Sequence, residues 1–396
     1  MISLAEARAL IAENISPLRA TAAPLAGAFG RALRQDVFSR DDLPAFDRSA
    51  MDGYAVGRDD DSEKFQIVAE IQPGAIPKVK VRRGECARIF TGAPIPAGAS
   101  QVLMQEIVRV EGNFIVPLEK PRAMHIRQHG EDARKGDLLL PVGTKLGAGE
   151  LALLASLGMV RPKISPAVRV AHFATGNELI APERKLKPGQ IRDSNSTLVA
   201  AFVQQFGGEI VRQERVADNF DLLLRRALAL KKSFDLLLVS GGASVGDYDF
   251  GKRLLIALGF QIHFEKISLR PGKPLVFATR GRQAAFILPG NPVSHFVTLQ
   301  VAVRLALEQF SGADSSWPLA KLRLAEHFEY RPGPLETFWP ARVKIQNGEL
   351  VVHALRWQSS GDVTGLTGAN ALLQIGGGAE TPKVGDPVPV LLLEVP

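Results

Sequence analysis

The sequence predicts a multidomain α/β plus β protein with a doubly wound α/β domain at its centre. From residue 167 onward, short apolar runs alternate with amphipathic helical patterns, which is typical of a parallel sheet covered by helices. On either side of that stretch, short β-rich runs alternate with Pro and Gly turns, which indicates smaller β domains. The 396 residues are also too many for a single hydrophobic core, so several domains are expected.

The N-terminal part predicts a helical stalk with a β domain inserted into it. Residues 1–36 carry a helical pattern, in which Ser3 is a candidate N-cap and Glu6 follows three residues later. A second helical pattern covers residues 148–157 and ends at Gly158. The β-rich runs between the two patterns cover residues 65–71, 86–90, 101–110 and 114–117.

The central domain is predicted element by element from its alternating pattern. The predicted strands cover residues 168–174, 209–216, 234–240 and 260–269, and a hairpin-like pair surrounds Gly281. The predicted helices cover residues 194–206, 219–230, 249–258 and 293–310. Beyond Ser311, short strands over residues 340–345, 350–355 and 387–393 predict a small C-terminal β-sandwich or barrel.

Composition and charge exclude several classes of protein. Hydrophobic residues make up 46% of the chain and charged residues 22%, an ordinary globular balance. Cys86 is the only cysteine, which excludes intramolecular disulfides and cysteine-ligated metal sites and makes the cytoplasm the expected compartment. No apolar run is long enough to span a bilayer, and charges within the first ten residues argue against a signal peptide. The net charge is +7, but no basic tail or aromatic–basic strip predicts nucleic-acid binding.

Four glycine-rich turns follow apolar runs in the central domain, over residues 173–179, 239–246, 269–274 and 288–294. Glycine lets successive backbone N–H groups face one way, and such concavities hold anions. Ligands of open α/β sheets bind where the strands end. None of the turns matches the Walker or the Rossmann fingerprint, and each alone reads as a plain strand-to-helix connection. Their number in one domain predicts a crevice for an anionic ligand.

Charged residues accompany these turns. Arg270 and Lys273 bracket a Pro-Gly pair, an arrangement that suits an oxyanion. The acids at predicted strand ends on the same side of the sheet are Glu178, Asp218, Asp247 and Asp249. Carboxylates beside cations at an anion site favour a divalent metal that bridges to phosphate, although each acid alone is more often a helix N-cap.

Three loops of the inserted domain also combine turn residues with charges or hydroxyls, over residues 43–55, 90–96 and 127–132. The first contains Asp47 and Asp52, and Gly53 is expected to permit a sharp turn. Composition alone favours ordinary loop chemistry for all three. The histidines lack metal-ligand spacing and the serines lack a nucleophile elbow, so no catalytic triad is predicted.

Taken together, these strings closely resemble the molybdopterin molybdenumtransferase family, which comprises bacterial MoeA and the E domain of gephyrin-type proteins. They occur in family order across most of the chain. The matching strings are Ser49-Ala-Met-Asp-Gly-Tyr-Ala55, Thr91-Gly-Ala-Pro94, Gly130-Glu-Asp132, Thr175-Gly-Asn-Glu178, Ser240-Gly-Gly-Ala-Ser-Val-Gly246, Pro271-Gly-Lys-Pro274 and Leu288-Pro-Gly-Asn-Pro-Val-Ser294. The tail strings Ser360-Gly-Asp362 and Ala369-Asn-Ala371 resemble the family as well.

The resemblance implies the last step of molybdenum cofactor synthesis, in which molybdate is inserted into adenylylated molybdopterin and AMP is released. It implies Mg²⁺ as the metal and an elongated homodimer, with the upstream molybdopterin-handling proteins as further partners; nucleic acid and membrane are not expected. The implied domains are a discontinuous linker (1–40 and 134–166), an inserted β domain (41–133), an α/β molybdopterin-binding domain (167–312) and a C-terminal β domain (313–396).

The resemblance also implies roles for individual residues. The acids implied in catalysis are Asp52, Glu178, Asp218 and Asp249, and the last three are the implied metal ligands. The residues implied in substrate binding are Thr91, Arg127, Asp132, Gly241, Gly242, Ser244, Lys266, Arg270, Lys273, Pro289, Pro292 and Ser294. Among these, Lys266, Arg270, Lys273 and Ser294 are implied to grip phosphate or molybdate. Asp52, Thr91, Arg127 and Asp132 are implied to complete the site across the dimer interface.

Three departures from the family pattern leave two alternatives open. Asn177 stands where the family usually has an acid, and Arg270 stands where lysine is common. Residues 331–340 contain prolines where many members carry arginines, and Arg331 or Arg342 is the expected substitute. The alternatives are a divergent paralogue that adenylylates molybdopterin and a non-catalytic cofactor-binding or scaffold protein. The inserted-domain strings argue against the first, and the intact acids and cations argue against the second.

Overall fold

The computed structural model describes residues 1–119, 123–230, 233–241, 248–314 and 317–393, and of residues 248 and 249 only the backbone. The chain divides into two compact units. One contains Met1–Gln35 and Val142–Pro396, and the other contains Asp36–Pro141. The first unit holds the α/β domain and the C-terminal β domain, and the second holds the inserted β domain. No helix in the described part of the chain is long and apolar enough to cross a membrane.

The α/β domain is built on a six-stranded sheet. In spatial order its strands are Gly208–Val216, Val168–Thr175, Leu236–Ser240, Gln283–Leu288, Pro274–Arg280 and Gln261–Lys266. The first four strands are parallel to one another, and Pro274–Arg280 is antiparallel to both of its neighbours. The carboxyl ends of the four parallel strands therefore lie along one edge of the sheet, and three of the four predicted glycine turns begin there.

Helices cover both faces of this sheet. They are Leu4–Asn14, Asn195–Gln205, Phe220–Leu230, Tyr248–Ala257 and a long helix of three segments, Pro292–Thr298, the π-helical Leu299–Val303 and Arg304–Ser311. On one face Val170 and Leu238 pack in a core with Phe202, and on the other Phe173 and Val239 pack in a second core. Apolar side chains alternate between the two cores along each strand, which confirms the doubly wound architecture.

The predicted N-terminal helix is much shorter than residues 1–36. It covers only Leu4–Asn14, and it begins with the expected capping box, in which Ser3 Oγ accepts from the Glu6 N–H at 3.2 Å. Pro17 and Pro24 follow, and proline does not continue a helix, since it lacks the N–H that an internal turn requires. The remaining segment forms the 3₁₀ turn Leu25–Gly27 and the strand Thr21–Ala22, which pairs with Lys163–Ile164. The second stalk helix, Ala148–Ser156, is confirmed.

The C-terminal domain is a closed five-stranded barrel. Around the ring its strands are Glu336–Gln346, Glu349–Ala354, Leu319–Leu324, Pro387–Leu392 and Ala371–Ile375, and the last pairs again with the first. A 3₁₀ turn, Val363–Leu366, lies between two of the strands. The strand Leu269–Arg270 of the α/β domain pairs in parallel with the beginning of Glu336–Gln346, so the backbone joins the two domains directly beside Arg270. A short pair, Leu179–Ile180 with Ile191–Arg192, follows the first glycine turn.

The second unit contains another six-stranded sheet, with apolar cores on both faces. Its strands in spatial order are Gln101–Met104, Gly53–Val56, Glu85–Ile89, Phe65–Ile71, Phe114–Pro117 and Val108–Glu111, with the 3₁₀ turn Gln105–Ile107. Two short pairs flank it, Val37–Phe38 with Leu138–Leu140 and Arg48–Ser49 with Ile126–Arg127. The expectation that Gly53 permits a sharp turn is wrong. Gly53 lies in a strand, and a Cβ there would stand 2.0 Å from the Leu103 carbonyl oxygen, so glycine is required by the close approach of the neighbouring strand.

Candidate active site

Two neighbouring strands of the α/β sheet end so close together that only glycine fits between them. Gly241 follows the strand Leu236–Ser240 with φ +97°, and a Cβ on it would lie 2.3 Å from the Thr175 carbonyl oxygen. The Thr175 hydroxyl donates to the Ser240 carbonyl at 3.3 Å. These contacts hold the ends of the two strands side by side at Thr175 and Gly241, and the rest of the second glycine turn, residues 242–246, lies outside the described residues.

The exposed residues Asn177, Glu178 and Asp218 form what we call the acid edge. Asn177 and Asp218 hold two turns together reciprocally: the Asn177 N–H donates to Asp218 Oδ2 at 3.2 Å, and the Asp218 N–H donates to Asn177 Oδ1 at 3.1 Å. The Glu178 carboxylate folds back over Gly176, where a Cβ would stand 2.7 Å from Glu178 Oε2. An aspartate at position 177 could accept the same hydrogen bond, so the asparagine keeps the link while carrying no charge.

The donor set at the acid edge fits a hard divalent cation. Glu178 and Asp218 offer carboxylate oxygens, the ligands that Mg²⁺ takes together with water and phosphate oxygens. Within the described residues, no group of three or more His, Cys, Asp or Glu side chains is placed to hold a metal by itself. The side chain of Asp249, the third implied ligand, lies outside the described part of the chain, and so do Gly242, Ser244 and Asp247.

A chain of hydrogen bonds runs from the exposed Gln213 to the buried His172 and Ser240, close to the acid edge. Gln213 Nε2 donates to His172 Nδ1 at 3.1 Å, which leaves the proton on Nε2 to be donated to Ser240 Oγ at 2.6 Å. Burial lowers the pKa of His172 to about 3, with a smaller contribution from His295, and burial lowers the pKa of His295 to about 4. Both imidazoles are therefore neutral at physiological pH, and His172 fixes the strand end from which Gly241 continues.

A large cleft, which we call the cation cleft, lies between the α/β domain and the C-terminal barrel. Its volume is about 1820 Å³, and its lining includes Arg270, Lys273, Pro289 and Ser294 among the predicted substrate-binding residues. Arg270 Nη1 donates to the Arg331 carbonyl at 3.0 Å, which holds its guanidinium at the barrel side. Neither Arg270 nor Lys273 is ion-paired to a carboxylate of the described residues. Two cations without carboxylate partners are suited to an oxyanion.

The end of the cation cleft is tied to the barrel by polar contacts around Ser360. Asn291 Nδ2 donates to Ser360 Oγ at 2.9 Å, and the Val293 N–H donates to the Ser360 carbonyl at 3.0 Å. Asn291 is also the N-cap residue of the helix that begins at Pro292. The tail string that resembled the family is thus brought to the glycine turn at residues 288–294, far away in sequence.

One strand, Leu236–Ser240, lies between the strand that leads to the acid edge and the strand that leads to the cation cleft. The Gly241 N–H donates to the Leu288 carbonyl at 3.3 Å, and a Cβ on Gly290 would lie 3.6 Å from the Gly241 Cα. These atoms belong to the ends of two adjacent parallel strands, Leu236–Ser240 and Gln283–Leu288. On its other side Gly241 meets Thr175, so it lies between the strand that precedes Glu178 and the strand that precedes the cleft residue Pro289.

Two predicted residues lie elsewhere among the described residues. Lys266 ends the edge strand Gln261–Lys266 and is not part of the cleft lining. Pro292 begins a helix and lines a separate small pocket with Arg192 and Val363. Of the two arginines expected to substitute in the C-terminal domain, Arg331 lines the cation cleft and Arg342 does not.

Several lining residues were not predicted from the sequence. Arg356 and four aromatic residues, Phe328, Tyr330, Trp339 and Trp357, line the barrel side of the cleft. Two of the three tryptophans of the chain are among them, and this clustering of tryptophan in one short β-rich stretch is the signal that could have found them.

The predicted site residues of the second unit form two local clusters. The Thr91 N–H and hydroxyl both donate to Asp52 Oδ1, each at 2.7 Å, and the bond from the Thr91 backbone is the main reason that the pKa of Asp52 is lowered. Arg127 is ion-paired with both Glu131 and Asp132. The pairing of Arg48–Ser49 with Ile126–Arg127 and a bridge from Arg48 to Pro94 bring the three loops together. The ion pairs with Glu131 and Asp132 partly neutralise the positive charge of Arg127.

Comparisons with known proteins identify the family. Residues 2–158 match the family description "MoeA N-terminal region (domain I and II)", residues 171–309 match "Probable molybdopterin binding domain", and residues 321–393 match "MoeA C-terminal region (domain IV)". A protein of Nostoc sp. named molybdopterin molybdenumtransferase is 37% identical over 380 residues, which cover 92% of this chain and 87% of that protein. The chain belongs to the MoeA family.

Other MoeA relatives agree. A Bacillus subtilis protein named molybdopterin molybdenumtransferase is 32% identical over 376 residues, covering 92% of this chain and 87% of that protein. The crystal structure of the molybdopterin biosynthesis moeA protein from Pyrococcus horikoshii OT3 superposes with a TM-score of 0.83 at 27% identity, covering 99% of this chain and 100% of that one. The resemblance noted in the sequence and the predicted fold class are thereby confirmed.

Proposed function

We propose that this MoeA chain is a molybdopterin molybdenumtransferase, which inserts molybdate into adenylylated molybdopterin and releases AMP. The observation that carries the proposal is that Gly241 lies between the acid edge and the cation cleft, against Thr175 on one side and the cleft residue Gly290 on the other. The substrate has a phosphoanhydride, which calls for metal-binding carboxylates, and the reaction consumes a tetrahedral oxyanion, which calls for unpaired cations. The two sites follow strands of the same sheet, with only the strand Leu236–Ser240 between them.

Each wall has its own task in this reaction. At the acid edge, Glu178 and Asp218 would hold Mg²⁺, which neutralises phosphate charge and polarises the phosphoryl group when bound. In the cation cleft, Lys273 and Arg270 would bind and orient molybdate. The Ser294 hydroxyl, largely buried, lines the same space and can donate to an oxyanion. No protein nucleophile is required, since positioning and charge stabilisation suffice.

The test incubates the purified protein with adenylylated molybdopterin, molybdate and magnesium, and it measures AMP release together with reconstitution of a molybdenum enzyme. We expect AMP release that depends on both molybdate and the divalent metal. A parallel reaction with ATP and unmodified molybdopterin checks for adenylylation. No AMP release under any metal condition, or adenylylation alone, would overturn the proposal.

We further propose a homodimer in which Asp52 and Thr91 of one chain complete the site of the other. Mixing Asp52→Ala chains with Glu178→Ala chains tests this directly, since each variant alone lacks one half of every site. If sites form across the interface, each mixed dimer has one intact site, and activity returns on mixing. If each chain forms its own site, mixed dimers stay inactive. Light scattering of the unmixed protein gives the oligomeric state independently.

A further inference from the structure

Four aromatic side chains cover the barrel side of the cation cleft, and we call them the aromatic wall: Phe328, Tyr330, Trp339 and Trp357. The Trp339 ring lies at the centre of this group. Its centroid is 5.1 Å from that of Phe328, 6.3 Å from that of Tyr330 and 4.6 Å from that of Trp357, always with the rings steeply inclined. Such edge-to-face contacts make the wall a rigid surface.

Trp357 differs from the other three because it is only half-buried. Phe328, Tyr330 and Trp339 retain 6–7% of their surface, as residues of a packed core do. The Trp357 indole is nevertheless held in place, because its Nε1–H donates to the Ser359 carbonyl and its ring packs against Trp339. An oriented indole that lines a cleft leaves apolar surface in water, and a ligand that covers this surface gains binding energy.

The volume of the cleft indicates how large a ligand that covers Trp357 can be. The cleft volume of about 1820 Å³ exceeds the roughly 300–1,000 Å³ of ordinary small-molecule pockets. A tetrahedral oxyanion therefore fills only a small part of the cleft. Lys273 belongs to the α/β side, and the guanidinium of Arg270 reaches the barrel at the Arg331 carbonyl, whereas Trp357 and the exposed Arg356 belong to the barrel itself. The barrel side therefore has room for a flat ring beside the oxyanion.

We propose that Trp357 stacks on a flat nitrogen heterocycle of the adenylylated substrate and so sets the affinity for that substrate, separately from the affinity for molybdate. The inference rests on the proposed function, since the substrate contains two such rings, pterin and adenine. Both the pterin ring and the adenine ring can stack on an aromatic side chain. It is worth about 1–3 kcal/mol for a nucleobase, which corresponds to a change of about 5–150-fold in affinity.

Steady-state kinetics of Trp357→Leu and Trp357→Phe test the proposal. For Trp357→Leu we expect the KM for the adenylylated pterin to rise at least about fivefold, with the KM for molybdate unchanged. Trp357→Phe should recover much of the loss, because a smaller ring still stacks. Trp317→Phe is the matched control, since Trp317 lies outside the cleft lining and packs under Arg8. Equal changes in both KM values, or no change in either, would overturn the proposal.

Direct binding separates the two rings and keeps the test independent of turnover. A free 6-substituted pterin, AMP and molybdate are each titrated by calorimetry into the wild-type protein and both Trp357 variants. Weaker binding of the pterin alone assigns the pterin ring to Trp357, and weaker binding of AMP alone assigns adenine. Unchanged affinity for both would reject stacking at Trp357, even if the wild-type protein releases AMP. If the wild-type protein binds the rings but releases no AMP, only the proposed function is rejected.

Discussion

The acid edge and the cation cleft follow strands of one sheet on either side of Leu236–Ser240, but they are built in different ways. The acid edge consists of turns that directly follow parallel strands, so its geometry comes from within the α/β domain. The cation cleft needs a second domain, because Arg270 is positioned by pairing with the barrel and Asn291 by its bond to Ser360. Two sites of opposite charge can therefore lie at the same edge of one sheet when different neighbouring residues position each of them.

The largest expected effect comes from removing charge at the acid edge. Glu178→Gln should lower the rate of molybdate-dependent AMP release by about 100-fold or more at low magnesium, since electrostatic groups at a reacting centre contribute on that scale. Higher magnesium should recover part of the rate. Glu183→Gln, another exposed acid nearby, is the matched control. An unchanged dependence of the rate on magnesium in Glu178→Gln would remove Glu178 from the site.

Removing charge in the cation cleft should change the affinity for molybdate, and it should leave the dependence of the rate on magnesium unchanged. Lys273→Met is expected to raise the molybdate concentration for half-maximal rate about 10–100-fold, since a charge-assisted hydrogen bond contributes about 1.5–3 kcal/mol. Lys185→Met, at an exposed loop, serves as the control. If Lys273→Met also shifted the magnesium dependence as strongly as Glu178→Gln, the two sites would not be separate.

Glycine replacements compare the backbones of the two sites. Gly241→Ala should cost about 1–3 kcal/mol of unfolding free energy, because its φ is +97° and the new Cβ would meet the Thr175 carbonyl at 2.3 Å. Gly272→Ala in the cleft, with φ +112°, should cost less, because the atom nearest its Cβ would be the Thr298 methyl carbon at 2.7 Å, a looser contact than that with the backbone oxygen at Gly241. Gly281→Ala has open space and controls for positive φ alone. Urea unfolding measures all three, and a larger loss at position 272 would contradict this ranking.

The smallest effect is a dependence of stability on pH that arises close to the acid edge. The pKa of His172 is lowered to about 3 in the folded chain from 6.5, so below pH 6.5 the unfolded chain binds a proton that the folded chain excludes. Stability should therefore fall as the pH falls from 6.5 toward 3. His172→Gln should reduce the loss between pH 6.5 and 5 by about 1.5 kcal/mol, since the unfolded imidazole is only half protonated at pH 6.5 and the slope approaches about 1.4 kcal/mol per pH unit at lower pH.

Urea unfolding at several pH values checks this, with the exposed His327→Gln as control. An unchanged pH slope in His172→Gln would show that His172 is not the group responsible. His295 remains buried and neutral in that variant, so part of the slope should persist.

Most of the acid edge was predictable because its residues follow strands, and each strand is predicted by a run of apolar residues next to one another in the sequence. The apolar run before Thr175 and the run before Ser240 predict parallel strands, and parallel strands end together. The reciprocal bonds between Asn177 and Asp218 could not be predicted, since they depend on the relative height of two turns. The stalk helix was overestimated because apolar spacing continued past Pro17, where the backbone cannot remain helical.

The sequence by itself determined the doubly wound sheet, the glycine turns and the family, because periodicity and short motifs are properties of neighbouring residues. Only the tertiary structure decided that the C-terminal strands close into a barrel, that Arg331 rather than Arg342 lines the cleft, and that Trp357 and Lys273 line the same cleft. Those outcomes depend on contacts between residues far apart in the chain, and packing, not local preference, selects among such contacts.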